Sequence, residues 1–222
     1  MNVNSLIEEK FITDKPGLSL NRKERDRLLR QVDILRAAEH VFALKGYYEA
    51  TMQDIAKVAQ YATGTVYLYF KDKDALYFSL FEQKLKDLLS MLKEETAKEH
   101  DARRKLEIFT IEKLSFFERN QDFFRIFVSE RGKFQAMRAS KDPKSRIVVQ
   151  HKEFVSELIK IGQQQKIIRG DFNSAQIADI FISIIMAVVF NWLQHGTRSL
   201  GNLKQKSGFI LDMFLNGAGN NK

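Results

Sequence analysis

Cysteine is absent from the 222 residues, so disulfides, thiolate metal sites and cysteine nucleophiles are excluded. Proline is nearly absent: Pro16 and Pro143 are the two in the chain, against a usual frequency of about 5%. With so few breakers, long helices are favoured over many-stranded sheets. The four histidines, His40, His100, His151 and His195, lie on separate segments without a His-x-x-x-His or Glu-x-x-His pairing, so no metal site is expected. A Gly-x-Ser-x-Gly elbow, a phosphate-cradling glycine loop and a dinucleotide fingerprint are also missing. Neither catalysis nor a cofactor is therefore expected. The first 20 residues carry Glu8, Glu9 and Asp14 and lack an apolar run behind a basic start, so no secretory signal is expected and the cytoplasm is the expected compartment.

What remains is the composition of a folded chain, 44% apolar and 29% charged, long enough for one or two domains. Its formal charge of +8 invites an anionic partner such as nucleic acid. That charge is spread out. Residues 22–75 hold ten basic and eight acidic side chains, net +2, whereas 76–222 hold 24 and 17, net +7. Bulk basicity thus fails to mark a DNA-reading end, and local patterning has to do so.

Residues 1–21 are polar, carry the Pro16-Gly17 turn signal, and read as a loose arm. Asn21, with Glu24 three residues on, predicts a capped helix start, and Leu28, Val32, Leu35, Ala38 and Val41 or Phe42 recur at helical spacing until Gly46. Thr51 with Asp54 predicts a second, short helix ending near Ala59, and Gln60-Tyr61-Ala62 is a turn before a third segment, Thr63 to Phe70. Two short helices joined by a tight turn have the shape of a helix-turn-helix. From Asp74 a helix of some 20 residues follows, then helical runs at about 103–118, 121–137, 144–165, 175–195 and 203–216. The expected architecture is all-α: a three-helix head over 22–75 and a six-helix body over 76–222.

The residues Ile34-Leu35-Arg36-Ala37-Ala38, Phe42, Gly46-Tyr47, Thr51, Asp54-Ile55-Ala56, Gly64-Thr65-Val66-Tyr67-Leu68-Tyr69-Phe70 and Lys73-Asp74-Ala75-Leu76 resemble the N-terminal domain of the TetR family of transcriptional repressors. The resemblance covers about residues 30 to 80 and is most specific in Gly-Thr-x-Tyr-x-Tyr-Phe followed by Lys-Asp-x-Leu. It implies a homodimeric, ligand-responsive regulator bound to palindromic operator DNA. The chain departs from the family at two positions: Gln60 stands where a turn glycine is usual and Ala62 where a serine cap is usual, each costing about 1 kcal/mol. A shift of the turn by one residue is compatible with that. The runner-up reading is an architectural DNA binder without sequence preference or effector control.

Elementary chemistry supports the same face. Small residues at the start of the third helix, Thr63, Gly64 and Thr65, let its backbone sink into a major groove, where hydroxyls meet base edges. Tyr67 and Tyr69 follow one turn later; Thr51, Lys71 and Lys73 bracket the segment where phosphates should pass, and Gln53 can read an edge as its family counterpart does. Arg25 and Arg30 are candidate backbone or minor-groove anchors, although interleaved Glu24 and Asp26 fit a solvated helix face equally.

In the body, Phe109, Phe116, Phe123, Phe127 and Phe154 are candidate lining for an apolar or amphipathic small molecule, most phenylalanines there being core. Residues 119–152 hold nine basic against three acidic side chains, so Arg119, Arg125 or Arg131 is a candidate for an anionic head group. Ile180 to Leu193 is almost wholly apolar, shorter than the 20 or so residues a membrane span needs, and reads as a helix buried on two sides. No membrane association is expected. With the helix after it, this run predicts a dimer interface through Ile180, Ile184, Val188, Trp192, Ile210 and Phe214, a four-helix bundle shared by two chains.

Overall fold

The fold is known from a computed structural model, which describes residues 21–129, 146–195 and 201–217. The arm over 1–20, Arg131, Phe134 and the side chain of Phe127 lie outside the described residues. Every regular element among the described residues is helical. Helix α1 (Arg22–Glu49) starts as its sequence predicts: Asn21 Oδ1 accepts from the Glu24 N–H at 2.9 Å while Glu24 Oε2 accepts from the Asn21 N–H at 3.0 Å. Its last turn is broken at Gly46, whose φ of 76° is costly for any residue with a Cβ. An added Cβ there would meet nothing within 4 Å, so the backbone angle alone asks for glycine.

Helices α2 (Met52–Ala59) and α3 (Thr63–Tyr69) follow, then α4 (Lys73–Ala97), whose first turn is capped by Asp72 Oδ1 accepting from the Ala75 N–H at 2.7 Å. The turn between α2 and α3 is unshifted. Gln60 itself takes the left-handed conformation, at φ 59°. Its N–H reaches Lys57 O and the Tyr61 N–H reaches Ala56 O, so the carbonyls at the end of α2 are satisfied and offset the strain. Ala62 occupies the cap position of α3 without a side-chain bond, and Thr63 does not take its place.

The chain divides into two compact units, Met1–Phe81 and Glu82–Lys222, with the division inside α4. In the first unit Ile34, Ala38 and Phe42 of α1, Ile55 of α2, Val66 of α3 and Leu76 and Tyr77 of α4 form the core. Phe42, Tyr47 and Tyr77 stack there with ring centroids 5.3 to 5.6 Å apart. Burial pushes the Tyr77 phenol far above its ordinary pKa.

The second unit contains the rest of α4, α5 (Ala102–Arg119), α6 (Gln121–Ser129), α7 (Arg146–Gln164), α8 (Ser174–His195), a 3-10 turn (Lys204–Lys206) and α9 (Ser207–Leu215). Helix α8 packs on α7, α6, α5 and α9, and α9 on α5. Phe109, Phe124, Phe181, Leu114, Ile159 and Trp192 are among its fully buried side chains, each worth about 2 kcal/mol of burial. Gly162 lets the chain return after α7: an added Cβ would sit 2.8 Å from Ile168 Cδ1. The end of α7 is also tied to the start of α5, since Gln165 accepts from the Ala102 N–H and donates to His100 O.

Helix α8 corrects the length argument against a membrane span. It runs for 22 residues, well beyond its uninterrupted apolar stretch, and by length and composition alone could cross a bilayer. In the structure it has two unlike faces. Ile177, Phe181, Ile185, Val189 and Trp192 are buried within the unit, whereas Ile180 is 58% exposed and Ile184 and Val188 are half-buried.

Candidate nucleic-acid interface

Helix α3 is held by two anchors one turn apart, Val66 and the following Phe70, both buried in the head. That pairing turns Gly64, Tyr67 and Leu68 to solvent, with Thr63, Thr65 and Tyr69 half-buried at the margins. Leu68 is 82% exposed and Tyr67 48%. The hydroxyls of Thr63 and Thr65 have no hydrogen-bond partner among the described residues and are open to an outside group.

Gly64 is informative because nothing in the chain requires it. Its φ is not positive and an added Cβ would meet nothing within 4 Å, yet glycine in a helix costs about 1 kcal/mol relative to alanine. The smallness faces outward, where a partner's backbone or base edge would approach. Leu68 shares that face and was missed in the sequence, where a leucine in an apolar-looking helix reads as core.

The start of α2 lies alongside. Thr51 Oγ1 accepts from the Asp54 N–H at 3.1 Å and donates to Asp54 Oδ2 at 2.7 Å, and Asp54 Oδ2 accepts from the Thr51 N–H. Lys45 Nζ, at the end of α1, completes the cap with a 2.6 Å ion pair to Asp54 Oδ1. These bonds, Lys45 first, hold the Asp54 carboxyl down at about 2. Thr51 therefore spends its hydroxyl proton inside the cap, while Gln53 is exposed beside it and Lys71 is exposed beyond α3.

Lys73 is corrected. Expected on a phosphate, its ammonium instead donates to Tyr47 O at 2.6 Å, Tyr48 O at 2.9 Å and Ala50 O at 2.9 Å, and lies 4.7 Å from the Tyr47 ring centroid. The break at Gly46 leaves those terminal carbonyls without helical partners at the negative end of α1, and a cation with three N–H groups satisfies all of them. Arg25 and Arg30 are exposed on the first turns of α1, Arg30 close enough to oppose the rise in the Tyr61 pKa that burial and the hydrogen bond to Asp33 cause.

The candidate ligand residues of the body fall into two groups. Phe116 and Phe123 are buried in a packed ring cluster with Phe117 and Phe124, at centroid distances of 4.4 to 6.4 Å, and belong to the core where α5 meets α6. Phe109 packs on Phe154 and Phe181 instead. Arg119 and Arg125 are exposed, and Arg119 reaches Met91 Sδ at 3.8 Å. Of the interface candidates, Trp192 and Ile210 are corrected: they are 1% and 0% exposed within their own unit, and the Trp192 Nε1–H donates to Gly201 O at 2.7 Å. Both back the outer face rather than form it. Ile180 is exposed on it, Ile184 and Val188 are half-buried along it, Phe214 is half-buried against Phe181, and Phe209, at 60% exposure, was missed. Among the described residues no three histidine or acidic side chains gather as metal ligands.

A short α2, a tight turn and an outward-facing α3 define a helix-turn-helix protein. Residues 34–80 match the family model described as bacterial regulatory proteins, tetR family. Over that stretch the chain is similar to regulators of the tetR family. It is 36% identical over 77 residues to the fatty acid metabolism regulator protein of Bacillus subtilis, a stretch that spans 35% of this chain and 40% of that relative, less than half of each. Two solved structures extend the likeness over the body. The transcriptional regulator FadR from Bacillus subtilis in complex with stearoyl-CoA has a TM-score of 0.69 at 22% identity, covering 85% of this chain and 99% of that one. Thermus thermophilus FadR, a TetR-family repressor in complex with lauroyl-CoA, has a TM-score of 0.64 at 19% identity, covering 86% and 96%. At these identities the two structures establish a shared all-helical fold.

Proposed function

We propose that this protein is a ligand-responsive DNA-binding transcriptional regulator of the cytoplasm, a repressor released from a palindromic operator by a small apolar or amphipathic effector. The observation that carries the reading is the outward face of α3. Gly64, Thr63, Thr65, Tyr67 and Leu68 are offered to a partner there by the burial of Val66 and Phe70 in the head. Gln53, Tyr69, Lys71, Arg25 and Arg30 flank it. Thr51 and Lys73 act behind it, fixing the ends of α2 and α1.

The head is assigned to 22–75 and the body to 76–222. Two copies pair through the outer face of α8, Ile180, Ile184 and Val188, with Phe209 and Phe214 of α9, placing two recognition helices about 34 to 36 Å apart, or a multiple of that, on one twofold axis. An effector in the body that binds a non-matching spacing more tightly, by about 1 to 3 kcal/mol, releases the DNA. The stearoyl-CoA and lauroyl-CoA complexes of the two similar structures support a molecule with an acyl tail.

The test is Tyr67→Ala. Operator affinity measured by fluorescence anisotropy should fall about tenfold, equivalent to roughly 1.4 kcal/mol, with helix content and oligomeric size unchanged. Unaltered affinity removes α3 as the reading helix. Binding that is equally strong to scrambled DNA and very steep in salt would favour an architectural role instead.

A further inference from the structure

The body contains a basic pair that its regulatory reading has not used. Lys113 sits midway along α5 and is 3% exposed. Its Nζ lies 3.2 Å from Nε2 of the half-buried His151 on α7 and 5.3 Å from the ring centroid of Phe109. Phe109 in turn packs on the His151 ring at 5.9 Å, on Phe154 at 6.2 Å and on Phe181 at 5.8 Å. No carboxylate pairs with Lys113 among the described residues. Lys93, near the Phe154 ring at 5.8 Å, adds a second cation to this neighbourhood rather than a counter-charge.

The sequence carries the same signal once it is read by helix face. One turn either side of Lys113 stand Phe109, Thr110, Phe116 and Phe117; one turn either side of His151 stand Ile147, Val148, Phe154 and Val155. A solvated lysine usually has an acid or water at those places. This one has rings.

An ammonium taken out of water without a counter-ion is costly, and burial pulls the Lys113 and His151 pKa values down, His151 further because of its cationic neighbour. A protein core gains nothing from such a pair that a methionine and a phenylalanine would not supply. Its retention fits a group that is completed from outside.

We propose that Lys113 and His151 form the head-group site of the effector, and that the effector is a free carboxylic acid whose apolar tail lies among Phe109, Phe154 and Phe181. The inference rests on the regulator reading for its purpose and names the effector class within it. The carboxylate accepts from the Lys113 ammonium, which also donates to neutral His151 Nε2, and cancels the buried charge. A neutral alcohol, ester or thioester oxygen accepts a hydrogen bond but leaves that charge uncompensated. The acid is therefore favoured over its coenzyme A thioester.

The experiment uses the full-length protein and measures affinities by isothermal titration for octanoate against 1-octanol, phenylacetate against 2-phenylethanol, and octanoyl-CoA. At least one acid should bind tenfold or more tightly than its alcohol, and octanoate more tightly than octanoyl-CoA. Lys113→Met, which keeps length and apolarity, should abolish the preference of acid over alcohol, because the acid loses its counter-charge whereas the alcohol loses a single hydrogen bond. His151→Phe should reduce it. The ratio of acid to alcohol affinity guards against a folding artefact, since a damaged core weakens both.

Equal binding of each acid and its alcohol, absence of acid binding, tighter binding of octanoyl-CoA than of octanoate, or an undiminished preference in Lys113→Met overturns the assignment. Failure of the regulator reading has a separate signature: no operator affinity in the unmutated protein, with acid preference intact.

Discussion

At the scale of the residue, Lys73 shows how a shared position can carry a different duty from the one its charge announces. Lysine next to a DNA-reading helix reads as a phosphate contact, and the sequence offers no sign that the turn at Gly46 leaves three carbonyls aimed at it. Lys73→Met should lower the unfolding free energy of the protein by about 1 kcal/mol, because it leaves two part-buried carbonyls and one exposed carbonyl without this donor, as followed by urea denaturation with circular dichroism. Any loss of operator affinity should vanish when folded protein alone is counted. Lys113 is hidden in the sequence for a related reason. Basic residues are dense over 119–152, whereas the buried cation stands alone among phenylalanines just outside that stretch.

At the scale of the element, the caps of the first two helices were legible: Asn21 with Glu24 and Thr51 with Asp54 both close as reciprocal boxes because each needs only a local pattern three residues long. The start of α3 was legible in position and not in energetics. Its cap is bare, and the left-handed turn before it falls on Gln60 rather than on glycine. The contact face of α3 was read from its small residues and tyrosines, whereas Leu68 on the same face was not; the burial of Val66 and Phe70 turns it outward. Gly64→Ala should accordingly stabilise the head by about 0.5 to 1 kcal/mol and at the same time weaken operator binding, since the new methyl meets no atom of the protein. Thermal denaturation and anisotropy on the same sample check the two halves; a variant that loses both stability and affinity would return Gly64 to an internal role.

At the scale of the whole molecule, the order of the helices among the described residues followed from periodicity, since apolar spacing is set by each helix alone. Partition of the apolar faces did not, because it depends on neighbours distant in sequence. Trp192 and Ile210 face inward, while Ile180 and Phe209 remain open, a difference that only the packing of α8 on α7 and of α9 on α5 reveals. Ile184→Glu combined with Val188→Glu should give monomers by light scattering with near-normal helix content, as two carboxylates cannot be buried unpaired at a symmetric contact. A persistent dimer relocates the contact to another surface.

The passage from one unit to the other inside α4, rather than in a loop, limits how this protein can be re-engineered. A chimera that borrows the first unit must be joined inside a helix rather than in a loop. Its junction must keep the helical apolar spacing near Phe81, because one residue too many moves the buried stripe of α4 itself by about 100°.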